Sequence, residues 1–346
     1  MKKALLLLVV AAVFSLGLYV QAPAADFKVT LRYTDQNPEA GLPSQTATIP
    51  LLQKITEATE GKVQFETYFS STLTNARDTW DSITKGIANV GWVSLPHYPG
   101  KVPLTDVMGL PGLPYRTGAD RGGAMWLAYE KYPEMQAEYE KGGLKPLIFF
   151  STDPYSLMTK KPVRNLDDLK GLKIRTLGGP ATRQMRLLGG VPILQPMPDV
   201  YISLQKGVLD GISTAAEAIV TWRFFEVAGY ITPAPLPGSY LTIAMSDKQW
   251  KTFPAEVQAQ IMSVCGYEGS RWYSAMFFDN FVPLVTKVAE ENGKKVEYYE
   301  LGPAEWDKWV ELSKPAVNEW IEANAAKGLG EVSQKIYDDM MHNFKN

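Results

Sequence analysis

The chain has 346 residues, 45% of them hydrophobic and 21% charged, with a formal net charge of −2, two histidines and a single cysteine. That length exceeds what one hydrophobic core usually serves and points to two domains. The near-neutral charge, without a long basic run, excludes an electrostatic footprint for nucleic acid, and one cysteine excludes an intramolecular disulfide.

The first residues have the pattern of a secretory signal peptide over 1–24. Lys2 and Lys3 form a positive start, Ala4 to Val20 an apolar run, and Ala22-Pro23-Ala24 a small-residue cleavage site. The alternative, a retained anchor, would rest on an apolar run at the lower limit for a membrane span. Cleavage would remove two lysines and move the net charge from −2 to −4. An exported, released protein in the periplasm is expected.

Phe27 to Tyr33 alternates apolar and polar residues, the period of a strand with one buried face. A helix over about 45–59 follows, with Ile49, Leu52 and Ile55 at helical spacing and Gly61 as its stop. Val63 to Phe69 alternates again, a second helix spans about 75–85, and Val90 to Ser94 reads as a more buried strand. Strands separated by helices imply parallel βαβ units in an open sheet. After a Pro/Gly-rich passage, 99–115, two surface helices run to Lys141. The strands Leu144 to Phe150 and Tyr155 to Met158 are read as the crossing into a second domain, so that lobe 1 covers 25–150 and lobe 2 covers 151–240.

Lobe 2 repeats the alternation. A short helix, 166–170, stops at Gly171 and is followed by the strand that carries Arg175, then by helices over 181–188 and 199–206 and strands over 191–197 and 210–214. Ile83 to Val90 and Leu204 to Gly211 share a helix end, a lysine, a glycine cap and an Asn or Asp before the next strand, which favours two related lobes. Residues 232–240 hold three prolines and a glycine, and Leu241 to Met245 reads as a strand returning to lobe 1. From Pro254 a helical pattern runs with little interruption to about Asn292, long enough to bridge both lobes. A last strand, 296–299, and amphipathic C-terminal helices over 300–346 complete the chain.

Catalytic patterns are sparse. His97 and His342 offer neither zinc spacing nor a nucleophile–base pair, and GxSxG, GxGxxG and phosphate-loop patterns are absent. Asp167 and Asp168 suit a helix start, where acids complement the helix dipole, and Cys265 suits a small core position. A carboxylate-based exported hydrolase stays open as an alternative. Two readings of Arg175 also stand: a solvated or surface-paired strand arginine, or a guanidinium fork held in a cleft to take a carboxylate.

Segments in order along the chain resemble the solute-binding proteins of TRAP (tripartite ATP-independent periplasmic) transporters: SSTLTNARDTW, GIANVGWVS, VMGLPGLPY, NLDDLKGLKIRT, PMPDVYISLQKGVLDG, FFEVAGYIT and IAMSDKQWKTFPAEVQAQI. The resemblance implies an α/β, two-lobed periplasmic binding protein fold, with open parallel or mixed sheets joined by hinge strands and a long bridging helix. It implies closure on a small organic acid, membrane transporter subunits as partners, no enzymatic activity and no cofactor, and a monomer. It makes Arg175 the carboxylate clamp. Members that bind sugar acids or dicarboxylates carry a second arginine in the crossing strand, where this chain has Asp153-Pro154-Tyr155-Ser156. The amide usual after the second-lobe DG is replaced by the hydroxyl of Thr214. These departures, with Trp92, Tyr155, Met197, Trp222 and Tyr240 as candidate cleft walls and Arg77 as a candidate near the cleft, point to a monocarboxylate with an apolar or aromatic body. Each of these residues could instead belong to the core or, for Arg77, to a helix surface. A sensory module of the same fold would differ only in its partners.

Overall fold

The computed structural model describes residues 27–279 and 281–344; the expected signal peptide lies outside them. The chain starts as the alternation requires: β1 (Val29–Thr34), α1 (Ile49–Ala58), β2 (Val63–Tyr68), α2 (Thr79–Thr84) and β3 (Val90–Ser94). β1 pairs in parallel with β2 on one side and β3 on the other, as helical crossovers dictate. Leu31 and Tyr33 on β1 and Leu51, Leu52 and Ile55 on α1 bury one common face, so the two periods seen in the sequence become one core. After α3 (Gly118–Lys131) and α4 (Pro133–Lys141) comes β4 (Leu144–Ser151), buried at every position but Lys145.

The second half contains β5 (Tyr155–Thr159), α5 (Leu166–Leu169), β6 (Lys173–Thr176), α6 (Gly179–Leu187), β7 (Val191–Leu194), α7 (Val200–Gln205), β8 (Gly211–Thr214), α8 (Ala216–Thr221), β9 (Tyr230–Leu236) and β10 (Tyr240–Ser246). Asn165 caps α5 by accepting from the Asp168 N–H at 3.0 Å, and Gly171 takes the φ of +76° that ends it. Then follow α9 (Asp247–Trp250), α10 (Ala255–Met262), α11 (Gly266–Ser274), α12 (Val282–Glu291), β11 (Glu297–Tyr298), α13 (Pro303–Ser313), α14 (Pro315–Ala325) and α15 (Gly330–His342).

Two mixed sheets result, one ordered β2-β1-β3-β10-β4 and the other β11-β9-β5-β8-β6-β7. β10 lies between β3 and β4, antiparallel to both, so the chain crosses from the first sheet to the second between β4 and β5 and returns between β9 and β10. These two crossings run side by side: the Thr152 N–H donates to Ser239 O at 3.3 Å, and the Ser239 N–H to Thr152 Oγ1 at 2.8 Å.

The sequence assigns no element to the proline-rich passage, and a second segment differs from its sequence reading. The proline-rich passage is largely a strand, β9, because its partner β11 reaches only Tyr230 and Ile231; Pro233 and Pro235 lie beyond it, where no ladder N–H is demanded on that side. The helical stretch from Pro254 to Asn292 is not continuous. It turns at Gly266, which has φ +65°, and again at a π-helical turn, Ala275–Asp279, before α12. That turn is a third passage between the lobes. α11 packs on α3 and β4, whereas α12 packs on α8. The C-terminal helices also touch both halves, since α13 packs on β9 and α6, while Trp320 Nε1 on α14 donates to Pro103 O at 2.8 Å.

Candidate functional site

In each sheet the strand order reverses at one place. β1 leads through α1 to β2 on one side, and β2 leads back through α2 to β3 on the other. β6 leads through α6 to β7, and β7 leads back through α7 to β8. At such switch points the loops after neighbouring strands diverge and leave a crevice at the carboxyl ends. Both crevices open on one cavity between the lobes, with about 410 Å³ of empty space counted out to its mouth. Gln36 and Asn37 follow β1, Trp92 lies in the middle and Ser94 at the end of β3, Arg175 is the last residue but one of β6, and Thr214 ends β8.

Arg175 is wholly buried. Its Nε donates to Gln195 O at 2.8 Å, while Nη1 has no hydrogen-bond partner. Burial lowers its pKa to about 10, with the neighbouring Tyr155 hydroxyl favouring the charged form, so the guanidinium is cationic at neutral pH. No carboxylate among the described residues pairs with it. His97 offers no compensation either: burial, then Arg175 and Arg77, lowers it to about 3. The cavity therefore holds one unpaired positive charge.

The walls are aromatic. Trp92 packs at 5.6 Å from Phe150 and 6.2 Å from Phe277, and Phe277 and Phe278 are 4.6 Å apart, all as ring-centroid distances. Tyr155, Met197 and the half-buried Trp222 close the opposite side from lobe 2. Asp35 sets the Gln36–Asn37 corner: its Oδ1 accepts from the Asn37 N–H and Nδ2, both at 2.8 Å, and its Oδ2 accepts from Tyr33 Oη at 2.8 Å.

Of the residues singled out in the sequence, Arg175, Trp92, Tyr155, Thr214, Met197 and Trp222 line this cavity together. Arg77 and Tyr240 do not. Arg77 lines a separate surface cleft, with Nη2 at 3.3 Å from Leu194 O across the lobes. Tyr240 is buried in the first lobe with Oη on Asp106 Oδ1 at 2.6 Å. Sequence reasoning missed Phe277 and Phe278, hidden in an apparent helix interior, and Glu217, whose lone acid in a short helix reads as surface. Glu217 is in fact 5% exposed and lines the cavity.

Residues 36–324 match the model of the bacterial extracellular solute-binding proteins, family 7. The chain belongs to that family. It is a TRAP-type solute-binding protein by its likeness to solved structures as well. A TRAP periplasmic solute-binding protein of Bordetella bronchiseptica, solved with bound (R)- and (S)-mandelate, is 26% identical. It has a TM-score of 0.81, and the match covers 92% of this chain and 100% of that one. One from Rhodoferax ferrireducens, solved with copurified benzoate, shares the fold at a TM-score of 0.84 and 19% identity, over 92% of this chain and 98% of that one. Among curated relatives, a solute-binding protein of Sulfitobacter sp. (strain NAS-14.1) is 32% identical over 36% of this chain, and the match spans 38% of that relative's length. For a solute-binding protein of this family, the two α/β lobes form the expected frame.

Proposed function

We propose that this protein captures a small organic monocarboxylate with an aromatic or apolar body in the inter-lobe cavity, in the periplasm, and delivers it to the membrane subunits of a TRAP transporter. The observation that carries the reading is Arg175, a buried guanidinium with a free Nη1 and no acidic partner. An unpaired buried cation costs several kcal/mol, and a carboxylate bound to its fork offsets that cost. A second carboxylate would meet no second buried cation among the described residues that line the cavity. The aromatic walls supply the remainder of the binding free energy, and the mandelate complex of the 26% identical relative agrees with that chemistry. Contacts from both lobes favour the closed arrangement, which gives the membrane subunits a state to recognise.

Calorimetry with benzoate and mandelate tests the reading. Arg175→Ala should weaken binding by about 2–5 kcal/mol, or about thirtyfold to several thousandfold in Kd, while the fold persists. Unchanged affinity in that variant would overturn the assignment, and chemical conversion of the recovered acid would favour an exported enzyme.

A further inference from the structure

Arg175 accounts for one end of a ligand. The cavity has further polar atoms without partners: Gln36 Oε1, Trp92 Nε1, Ser94 Oγ, Thr214 Oγ1, Glu217 Oε1 and Ser239 Oγ. Each unpaired buried neutral group is costly, and an ionised carboxyl with an unpaired oxygen costs more. Glu217 is 5% exposed and lies in α8 beside the buried Ala218 and Ile219 in sequence. On α8 the Thr221 hydroxyl lies close enough to lower the Glu217 pKa, yet neither Glu217 Oε1 nor Thr221 Oγ1 completes a hydrogen bond.

The charges around Glu217 define its form. It makes no ion pair with Arg175, and the charges that act on it are the acids Asp153, at the lobe crossing, and Asp35, after β1. Burial raises Glu217 to about 8, and both acids push in the same direction. At neutral pH it is a carboxylic acid, with one O–H donor and acceptor capacity to spare. Arg175 and the Trp92 indole can only donate. Glu217 and Thr214, on the same β8–α8 connection, can do both.

We propose that Glu217, with Thr214, forms a second recognition point that takes a hydroxyl group on the ligand's body, so that the cavity prefers a hydroxy-substituted aromatic monocarboxylate over its unsubstituted parent. This rests on the monocarboxylate reading of the site. A hydroxyl donates and accepts, as these two groups do. A second carboxylate on the ligand would find no second cation among the described residues that line the cavity.

Calorimetry at pH 7 with benzoate, its three monohydroxy isomers, mandelate and isophthalate tests the proposal, read as the ratio of each Kd to that of benzoate. At least one hydroxylated acid should bind the native protein about tenfold or more tightly than benzoate, with isophthalate the weakest. Glu217→Gln, neutral and still both donor and acceptor, should keep the ratio. Glu217→Leu should bring it to about one, and the nearly isosteric Thr214→Val should lower it with little risk to folding. A hydroxyl preference that survives Glu217→Leu in a folded protein, or the lack of any preference in the native protein, would overturn the proposal. Failure of every acid to bind would instead remove the monocarboxylate reading, and the proposal with it.

Discussion

Arg175 and Trp222 separate two kinds of contribution to one cavity. The arginine is buried and charged, so its removal is felt by an anion and by little else. Trp222 lines the cavity from the C-terminal end of α8, is only half-buried and packs at the edge of the second lobe's core, so its removal is felt mainly at the cavity. Trp222→Ala is expected to weaken binding of an aromatic acid by about 1–2 kcal/mol, roughly five- to thirtyfold in Kd, with little change in melting temperature. Calorimetry beside thermal denaturation checks both halves of that statement. The strand position of Arg175 was legible because a lone arginine stands near the end of a short strand between Gly171 and Gly178. Phe277 and Phe278 were not, because a Phe-Phe pair suits a buried helix face equally well, and only the π-helical turn aims both rings at the cavity.

The elements that join the lobes explain several small residues. Gly238 lies against the facing crossing, where a Cβ would come within 2.4 Å of Thr152 Oγ1 and 2.7 Å of Asp153 O. Two backbone segments cannot run this close with a side chain between them. Gly238→Ala is expected to destabilise the protein by about 1–3 kcal/mol in denaturant titration, through forced separation of the crossings. At the third passage, Asp279 accepts from the N–H groups of Gly118 at 2.5 Å and Ala119 at 3.0 Å, and Thr117 Oγ1 accepts from Asp120 N–H at 3.1 Å. Three of the orphan donors at the start of α3 are thereby satisfied, one pair of them by a residue far along the chain. Asp279→Ala should cost about 0.5–2 kcal/mol of stability, measured the same way.

At the scale of the molecule, buried acids set the response to pH. Burial raises Asp35, Asp106, Glu138 and Asp153 to about 7 and Glu217 to about 8, from ordinary values of 3.8 for Asp and 4.5 for Glu. Between those limits the folded state holds more protons than the unfolded one, so stability falls as pH rises toward 7 and 8. His97, lowered to about 3 from 6.5, acts in the opposite sense, and its effect fades as pH rises past 6.5. From pH 6.5 to 8 the five carboxyls outweigh this one histidine, and the melting temperature of the ligand-free protein should fall across that interval. A melting temperature that rises or stays level there would show that these acids are ionised in the folded state.

Local pattern alone determined the first sheet's parallel strands, the repeated strand–helix units, the glycine stops and the strand carrying Arg175. Each of these depends on neighbours within a few residues, where period and propensity act. The proline-rich β9 was hidden because its tolerance of proline depends on where β11 ends. The broken helix was hidden because apolar spacing continues through Gly266 and the π-helical turn. Which side chains share the cavity depended on contacts between distant segments: β1, β3, the β4–β5 crossing, β8 and the turn before α12. Tyr240 and Arg77 lie close to these segments in sequence yet face elsewhere. Glu217 illustrates the difference most plainly: its residue type is read from the sequence, but its burial beside two other acids comes from three remote segments packed into one low-dielectric space.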